Sequence, residues 1–477
     1  MTPDAGRAAL ATLVEWSYDL LHADEKTLLH HVAVHRGGAP LPALVGAGAD
    51  HGLDEMTVVE LLGTLVDKSI VTVSFPSAAA RYDLLDTVRD YALERLAEGG
   101  GLVAARKAHA EYFATLADTA HGALRGPEWR AWVGRLELER DNLWAALTCA
   151  HEASEAGIAG RLGTLAWYFT LAERVSEGRR FVELALASAS EDAPAPLRLE
   201  LEGFLCYFAT EELDLDTAIE IGEHALAATE PLPPQAALVE GALALARAES
   251  GDSERAAELA EKAHARLQPT GDDWGIAATS LLRAEVATLA GDVSTVAAMA
   301  AQAHRHAGAI GFGAFQIPAL LLEAWVAERR SDGSAAAEAY QRGFALAGSA
   351  GFADHAAFAL AELGWLAYAS GDLRKAEELE RRALATAEAA RSPWAVAHAR
   401  VRLGRVLAAA GDADSAEALF RSVLEWSDRQ RPHEARESLF LALAGDPGSA
   451  ARAGLDGLGQ PGGRAAMSTS AETALTP

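Results

Sequence analysis

The sequence predicts a mainly α-helical protein in which a small N-terminal domain precedes an α-solenoid of stacked helical pairs, and three observations carry that reading. A turn recurs every 40 residues: Gly251-Asp252, Gly291-Asp292, Ser331-Asp332-Gly333, Gly371-Asp372 and Gly411-Asp412. Two columns of small residues stand twelve apart within each unit, Ala244, Ala284, Ala324, Gly364 and Gly404 followed by Ala256, Val296, Ala336, Ala376 and Ala416. Hydrophobic residues make up 50% of the chain but aromatics only 6%. That balance suits Ala-rich helices, since strands favour branched and aromatic side chains. A fixed period means that each unit buries its apolar face only against its neighbours. Small side chains let successive helices approach closely, while a Gly-Asp turn ends one helix and caps the next.

Length and charge bound the function. A chain of 477 residues exceeds the size at which one core stops growing, so at least two domains are expected. The formal charge of -27 repels a phosphate backbone, and nucleic-acid binding would need a local basic patch to override it. Cys149 and Cys206 are too few for a disulfide framework or a four-cysteine zinc site. The N-terminus lacks a basic stretch followed by an apolar run, and no window approaches the roughly 18 apolar residues of a membrane helix. A soluble, cytoplasmic protein is the expectation.

Residues 1–98 do not share the period. A helix through Leu13, Trp16 and Leu20 is followed by one from Asp24, read as its cap, with Leu28, Leu29 and Val32 on its apolar face. After Gly37-Gly38 and Pro40 come a short helix around Leu44 and a longer one from Asp54 through Leu65. The β-branched run Ser69 to Val73 and the segment Tyr82 to Leu85 read as two strands, before a helix from Thr87 to Leu96. Three helices and a two-stranded wing make a winged helix. Its would-be reading helix carries Asp54, Glu55, Glu60 and Asp67 against Lys68, and residues 74–80 at the wing tip hold no Lys or Arg. Base edges and phosphates are normally read by Arg, Lys, Asn or Gln, so no direct binding to nucleic acid is expected.

Four segments in order, Leu13-Val14-Glu15-Trp16-Ser17-Tyr18-Asp19-Leu20-Leu21, Leu65-Val66-Asp67-Lys68-Ser69, Tyr82-Asp83-Leu84-Leu85-Asp86-Thr87-Val88-Arg89-Asp90-Tyr91-Ala92 and Glu139-Arg140-Asp141-Asn142-Leu143, resemble the linker region of AfsR-like and LuxR-type regulators built on a STAND ATPase. The resemblance implies a winged helix that packs on an NB-ARC type nucleotide-binding domain and is followed by a tetratricopeptide array. The chain departs from that pattern at its front end, because the phosphate-loop motif G-x-x-x-x-G-K-[ST] occurs nowhere in it. No nucleotide-binding residue and no cofactor is therefore carried over. The expectation is that an ATPase lies on another polypeptide, that the gene has been shortened, or that the fragment works alone.

Residues 99–160 read as a helical connector whose aromatics, Tyr112, Phe113, Trp129, Trp132 and Trp144, recur at helical spacing as core. The array is expected over 161–443. Degenerate units lie near Trp167-Tyr168-Phe169 and Leu213-Asp214, and regular units run from about 235 to 426. Ser392-Pro393, Asp273 and Asp354 are marked as helix starts. The twelve-residue spacing is that of tetratricopeptide repeats with a longer link between units, and it looks like the variety in MalT- and AfsR-type regulators. Residues 444–477 are Gly, Ala, Ser and Pro with few large apolar side chains and read as a disordered tail. Leu475-Thr476-Pro477 resembles the opening of a LuxR-type DNA-binding domain.

No catalytic or metal constellation stands out. His264 and His304 share one repeat column, His304 and His306 face different sides of a helix, and neither G-x-S-x-G nor H-E-x-x-H occurs. The reading that remains is recognition by a non-enzymatic regulatory protein. If the first small column faces the partner helix, the next position turns toward a concave groove and places Glu285, Trp325, Trp365 and Arg405 there, with Glu328 and Tyr368 one turn on. Aromatics beside charges are suitable anchors for a peptide, a protein partner, including a nucleotide-binding domain in trans, or a small-molecule effector. The alternative readings are that the tryptophans fill gaps between Ala-rich helices, and that the chain is a free-standing scaffold with no part in transcription.

Overall fold

The computed structural model describes residues 12–76, 79–189, 193–429 and 447–459. The described chain is mainly helical and divides into two compact units. One is formed by residues up to Leu124 with Ala131–Tyr168 and Arg180–Pro194, the other by Arg125–Arg130, Phe169–Arg179 and the chain from Ala195 onward. Most of the segment expected as a connector over 99–160 thus belongs to the first unit.

In the first unit, α1 (residues 12–19) and α2 (Ala23–Val34) precede β1 (Ala39–Pro40), α3 (Leu41–Ala49) and α4 (Glu55–Asp67). Then come β2 (Thr72–Ser74), β3 (Arg81–Asp83) and α5 (Asp86–Glu98). The strands form an antiparallel sheet in the order β1-β3-β2, with Ala39 opposite Tyr82 and Val73 opposite Tyr82. Sequence alone gave two of these strands. The third is two residues long and contains a proline, which a strand pattern does not reveal. Leu28, Leu29, Val32, Leu44, Val58, Leu62 and Leu65 are buried together, as their periodicity requires.

Two polar clamps tie this unit together. Arg89 donates to the carbonyls of Ala33, at 2.9 Å, and His35, satisfying the open C-terminal end of α2, and also pairs with Asp83. Farther along the chain come α6 (Leu102–Ala123) and α7 (Trp129–Glu152), then α8 (Ala156–Gly163), α9 (Ala166–Leu171) and α10 (Val175–Ser188). Glu139 on α7 takes Arg81 at 2.5 Å and 3.1 Å, while Asn142 accepts from the Arg36 amide at 2.7 Å and donates to Gly38 O at 3.1 Å. The recurring residues of two quoted segments are therefore internal fasteners of the fold. At the start of α2 the N-cap is His22, whose amide is held by Glu25 at 2.8 Å, and the expected cap Asp24 sits inside the first turn.

In the second unit α11 (Ala195–Glu211) and α12 (Leu215–Ala227) lead into regular pairs. These are α13 (Ala236–Glu249) with α14 (Ser253–Leu267), α15 (Asp273–Leu289) with α16 (Val293–Ala309), and α17 (Gly313–Arg329) with α18 (Gly333–Ala350). They continue as α19 (Ala353–Ala369) with α20 (Leu373–Ala390) and α21 (Pro393–Ala410) with α22 (Ala413–Arg429). Gly251, Gly291, Gly371 and Gly411 all take positive φ, and Ser331 adopts 57° at the same place. The aspartate that follows accepts a backbone N–H three residues on, at 3.3 Å for Asp252 and 3.0 Å for Asp332 and Asp372. One residue reverses the chain and the next caps the new helix. Asp273 and Asp354 do not cap. The N-caps of α15 and α19 are Asp272 and Phe352, and both predicted residues lie in the first turn.

Both small columns are packed shut. Ala244, Ala284, Ala324, Ala256, Val296, Ala336, Ala376 and Ala416 have no exposed surface. A Cβ on Gly364 would stand 2.6 Å from Glu380 Oε1, and one on Gly404 2.6 Å from Phe420 Cε1, so glycine occurs where the facing helix brings a large side chain. The disordered tail expected over 444–477 is corrected in part, because α23 (Pro447–Gly459) is a helix. Ala451 is buried and Gly454 lies against Phe420, small residues here serving close packing rather than solvation. Residues 460–477, with Leu475-Thr476-Pro477, lie outside the described residues.

Candidate recognition surface

The six positions singled out by the repeat fall on the first helices of successive pairs: Glu285 on α15, Trp325 and Glu328 on α17, Trp365 and Tyr368 on α19, and Arg405 on α21. Glu285, Glu328 and Arg405 are partly buried. Trp325, Trp365 and Tyr368 are only 6–7% exposed, so the aromatics contribute mainly to packing. The structure brings several of them together. Trp365 stacks on Tyr368 with centroids 4.8 Å apart, and the guanidinium of Arg405 stands 5.5 Å from the Trp365 ring centre. Trp325 is covered by Arg329 at 5.0 Å.

Beside this surface lies a polar core that the sequence reading did not single out. Glu362 on α19 is bound through both oxygens by Arg402 of α21 at 2.7 Å, and His398 Nε2 donates to it from 2.8 Å. Burial pushes the Glu362 carboxyl up, but Arg402 and His398 overcome this and hold it below the usual range. Burial keeps His398 neutral, and its ring stacks on Trp394 at 5.0 Å and Phe358 at 5.2 Å. Glu328 accepts the Tyr340 hydroxyl at 2.5 Å; burial and the Glu362 charge raise its carboxyl to about 7. Glu380 is fully enclosed, neither oxygen has a hydrogen-bond partner among the described residues, and burial raises its carboxyl well above the usual range.

One signal could have exposed these residues. The column that holds Glu362 and Arg402 reads Ala242, Leu282 and Leu322 in the earlier units, and the column that holds Tyr340 and Glu380 begins Ala260 and Ala300. A polar residue in an otherwise apolar column marks a local departure from the scaffold. Among the described residues, no group of three or more His, Cys, Asp or Glu is placed to hold a metal ion, and no helix is long and apolar enough to cross a membrane.

No protein-family model matches the chain. Over 299 residues it is 29% identical to proteins of Mycobacterium tuberculosis and Mycobacterium bovis that are named as HTH-type transcriptional regulators, covering 59% of this chain and 33% of theirs. The chain thus spans about a third of the length of those relatives. A further M. tuberculosis protein, uncharacterized, is 40% identical over 92 residues, 19% of this chain and 23% of its own. Among solved structures, a STAND protein with a tetratricopeptide repeat sensor from Pyrococcus horikoshii aligns with 97% of this chain and 64% of its own at a TM-score of 0.61 and 13% identity. The likeness supports a solenoid of tetratricopeptide type, and the sequence relationship places the chain beside transcriptional regulators.

Proposed function

We propose that the chain is the non-enzymatic, signal-receiving part of a STAND-type transcriptional regulator, in which the helical array takes an effector on the α15–α21 row. The observation that carries this reading is the sequence relationship to the mycobacterial regulators, which covers 59% of the chain. The order of helices and the three-stranded sheet in the first unit suit a winged helix. Its α4 is acidic at Glu55, Glu60 and Asp67, which favours a protein partner over DNA. Leu13, Trp16 and Leu20 are 60%, 63% and 58% exposed, an apolar row that suits docking of a nucleotide-binding domain.

Affinity capture from the native host, comparing wild type with Leu13→Asp/Trp16→Asp, tests the proposal. The wild type is expected to retain a nucleotide-binding protein that the variant loses. Identical captures, or partners without such a domain, would favour a free-standing scaffold. The chain itself is expected to show neither ATP binding by calorimetry nor a shift of duplex DNA at physiological salt. Micromolar ATP affinity or a sequence-specific shift would overturn the reading.

A further inference from the structure

We propose that Arg405 is an anion-binding residue, and that the surface it shares with Trp365 and Tyr368 receives its ligand through a carboxylate or phosphate group. This names the ligand chemistry of the proposed effector surface and rests on that reading.

A charge inventory of α17 to α21 leads there. Arg402 is committed to Glu362 through two 2.7 Å contacts, and His398 completes that carboxylate. Glu380 is sealed from solvent beside Gly364, and Glu328 is occupied by Tyr340. Several arginines of these helices, Arg329 among them, are exposed to water; among the described residues Arg405 is the partly buried guanidinium left over. It is partly buried and makes no hydrogen bond or ion pair with any described residue. Its recorded neighbour is the Trp365 ring, which it shares with Arg402, whose guanidinium stands 4.3 Å from the ring centre. Two like charges therefore crowd one indole.

Removing water from a guanidinium without supplying a counter-charge is unfavourable, and a second cation adds repulsion. Burial and Arg402 accordingly lower the proton affinity of Arg405, and Tyr368 and the Glu362 charge, already engaged by Arg402, offset this only in part. An anion relieves both strains, and the planar donor fork fits a carboxylate or phosphate through two hydrogen bonds. The Trp365–Tyr368 stack beneath it is nearly closed to solvent and holds the guanidinium in place, leaving the contact with the ligand to Arg405 itself. A cationic ligand would instead meet two guanidinia beside acids already neutralised or paired. The same column holds Leu245, Glu285 and Trp325 in earlier units, so the feature is local to this part of the array.

The test titrates the full-length protein with inorganic phosphate, with succinate and with ethylamine as a cationic control, at constant ionic strength, following tryptophan fluorescence. A saturable response to phosphate or succinate and none to ethylamine is expected, with whichever anion responds identifying the ligand class. Arg405→Gln should weaken that response at least about tenfold, and Arg405→Lys should restore part of it. The melting temperature of ligand-free Arg405→Gln should equal or exceed that of wild type, because an unpaired charge has been removed. Silence toward both anions up to about 10 mM, an undiminished response in Arg405→Gln, or a markedly lower melting temperature of that variant would overturn the proposal. Capture of the nucleotide-binding protein, which depends on Leu13 and Trp16, should be unchanged in Arg405→Gln, so a silent titration with intact capture fells the anion assignment alone, whereas capture that survives Leu13→Asp/Trp16→Asp fells the regulatory reading.

Discussion

The pairs α13–α16 and α17–α21 share one backbone plan and differ in what fills it. In the earlier pairs the interior columns are Ala242, Leu282, Ala260 and Ala300, whereas the later positions run from Leu322 to Glu362 and Arg402 in the first column and hold Tyr340 and Glu380 in the second. The aspartate caps within each pair recur in both, whereas the first small column turns from alanine to glycine at Gly364 and Gly404, where Glu380 and Phe420 press against it. A buried ion pair is generally no more stabilising than well-packed apolar side chains of similar volume. The difference teaches that the later units combine a generic framework with a local polar core.

The contrast can be attacked at several points. The largest expected effect is that of Arg402→Ala, which leaves Glu362 buried without its main counter-charge and should cost roughly 3–5 kcal/mol in urea unfolding. Leu282→Ala, on the apolar side of the contrast, leaves no orphan charge and should cost less. Next comes Gly364→Ala, whose added Cβ meets Glu380 at 2.6 Å and should cost about 1–3 kcal/mol. Combining it with Glu380→Ala should recover much of that loss, and simple additivity in this double-mutant cycle would show that the two positions are not coupled.

A pH series gives a subtler distinction. The folded-state carboxyl of Glu328 is raised above its unfolded value, so the folded protein binds more protons in between. Stability should therefore fall as pH rises from the ordinary carboxylate range through about 7. Glu328→Gln should flatten that decline, although Glu380, raised in the same direction, keeps part of it. An unchanged pH slope in denaturant midpoints would contradict the placement of Glu328. The smallest effect belongs to the shared framework. Asp372→Ala, which removes one N-cap, should cost about 1 kcal/mol.

Much of the array was legible because its signals are local and repeated. Gly251 and Asp252 announce a left-handed residue and a cap within two positions, and the recurrence every 40 residues confirms the register. The polar core was not legible in that way. Glu362 and Arg402 become partners only when α19 and α21 are stacked, and each taken alone resembles a solvated helix residue. The cap at Asp273 was misplaced because its polar neighbour Asp272 takes the role, and Asp354 fails because the helix already starts after Phe352, which supplies no side-chain cap. The helix Pro447–Gly459 was missed because composition measures bulk, whereas the contact of Gly454 with Phe420 depends on smallness. In the candidate surface, periodicity gave the row but not its burial, which neighbouring helices determine.

The central claim is that the charged interior of the later units is not what holds the array together. Replacing the pair by leucines, Glu362→Leu/Arg402→Leu, restores the apolar column of the earlier units and tests that claim by thermal and urea unfolding. The double variant should match wild type or exceed it by about 1–4 kcal/mol, far from the loss expected for Arg402→Ala alone. A loss as large as that of Arg402→Ala would mean that the ion pair is a structural requirement, and the account of the later units would fail.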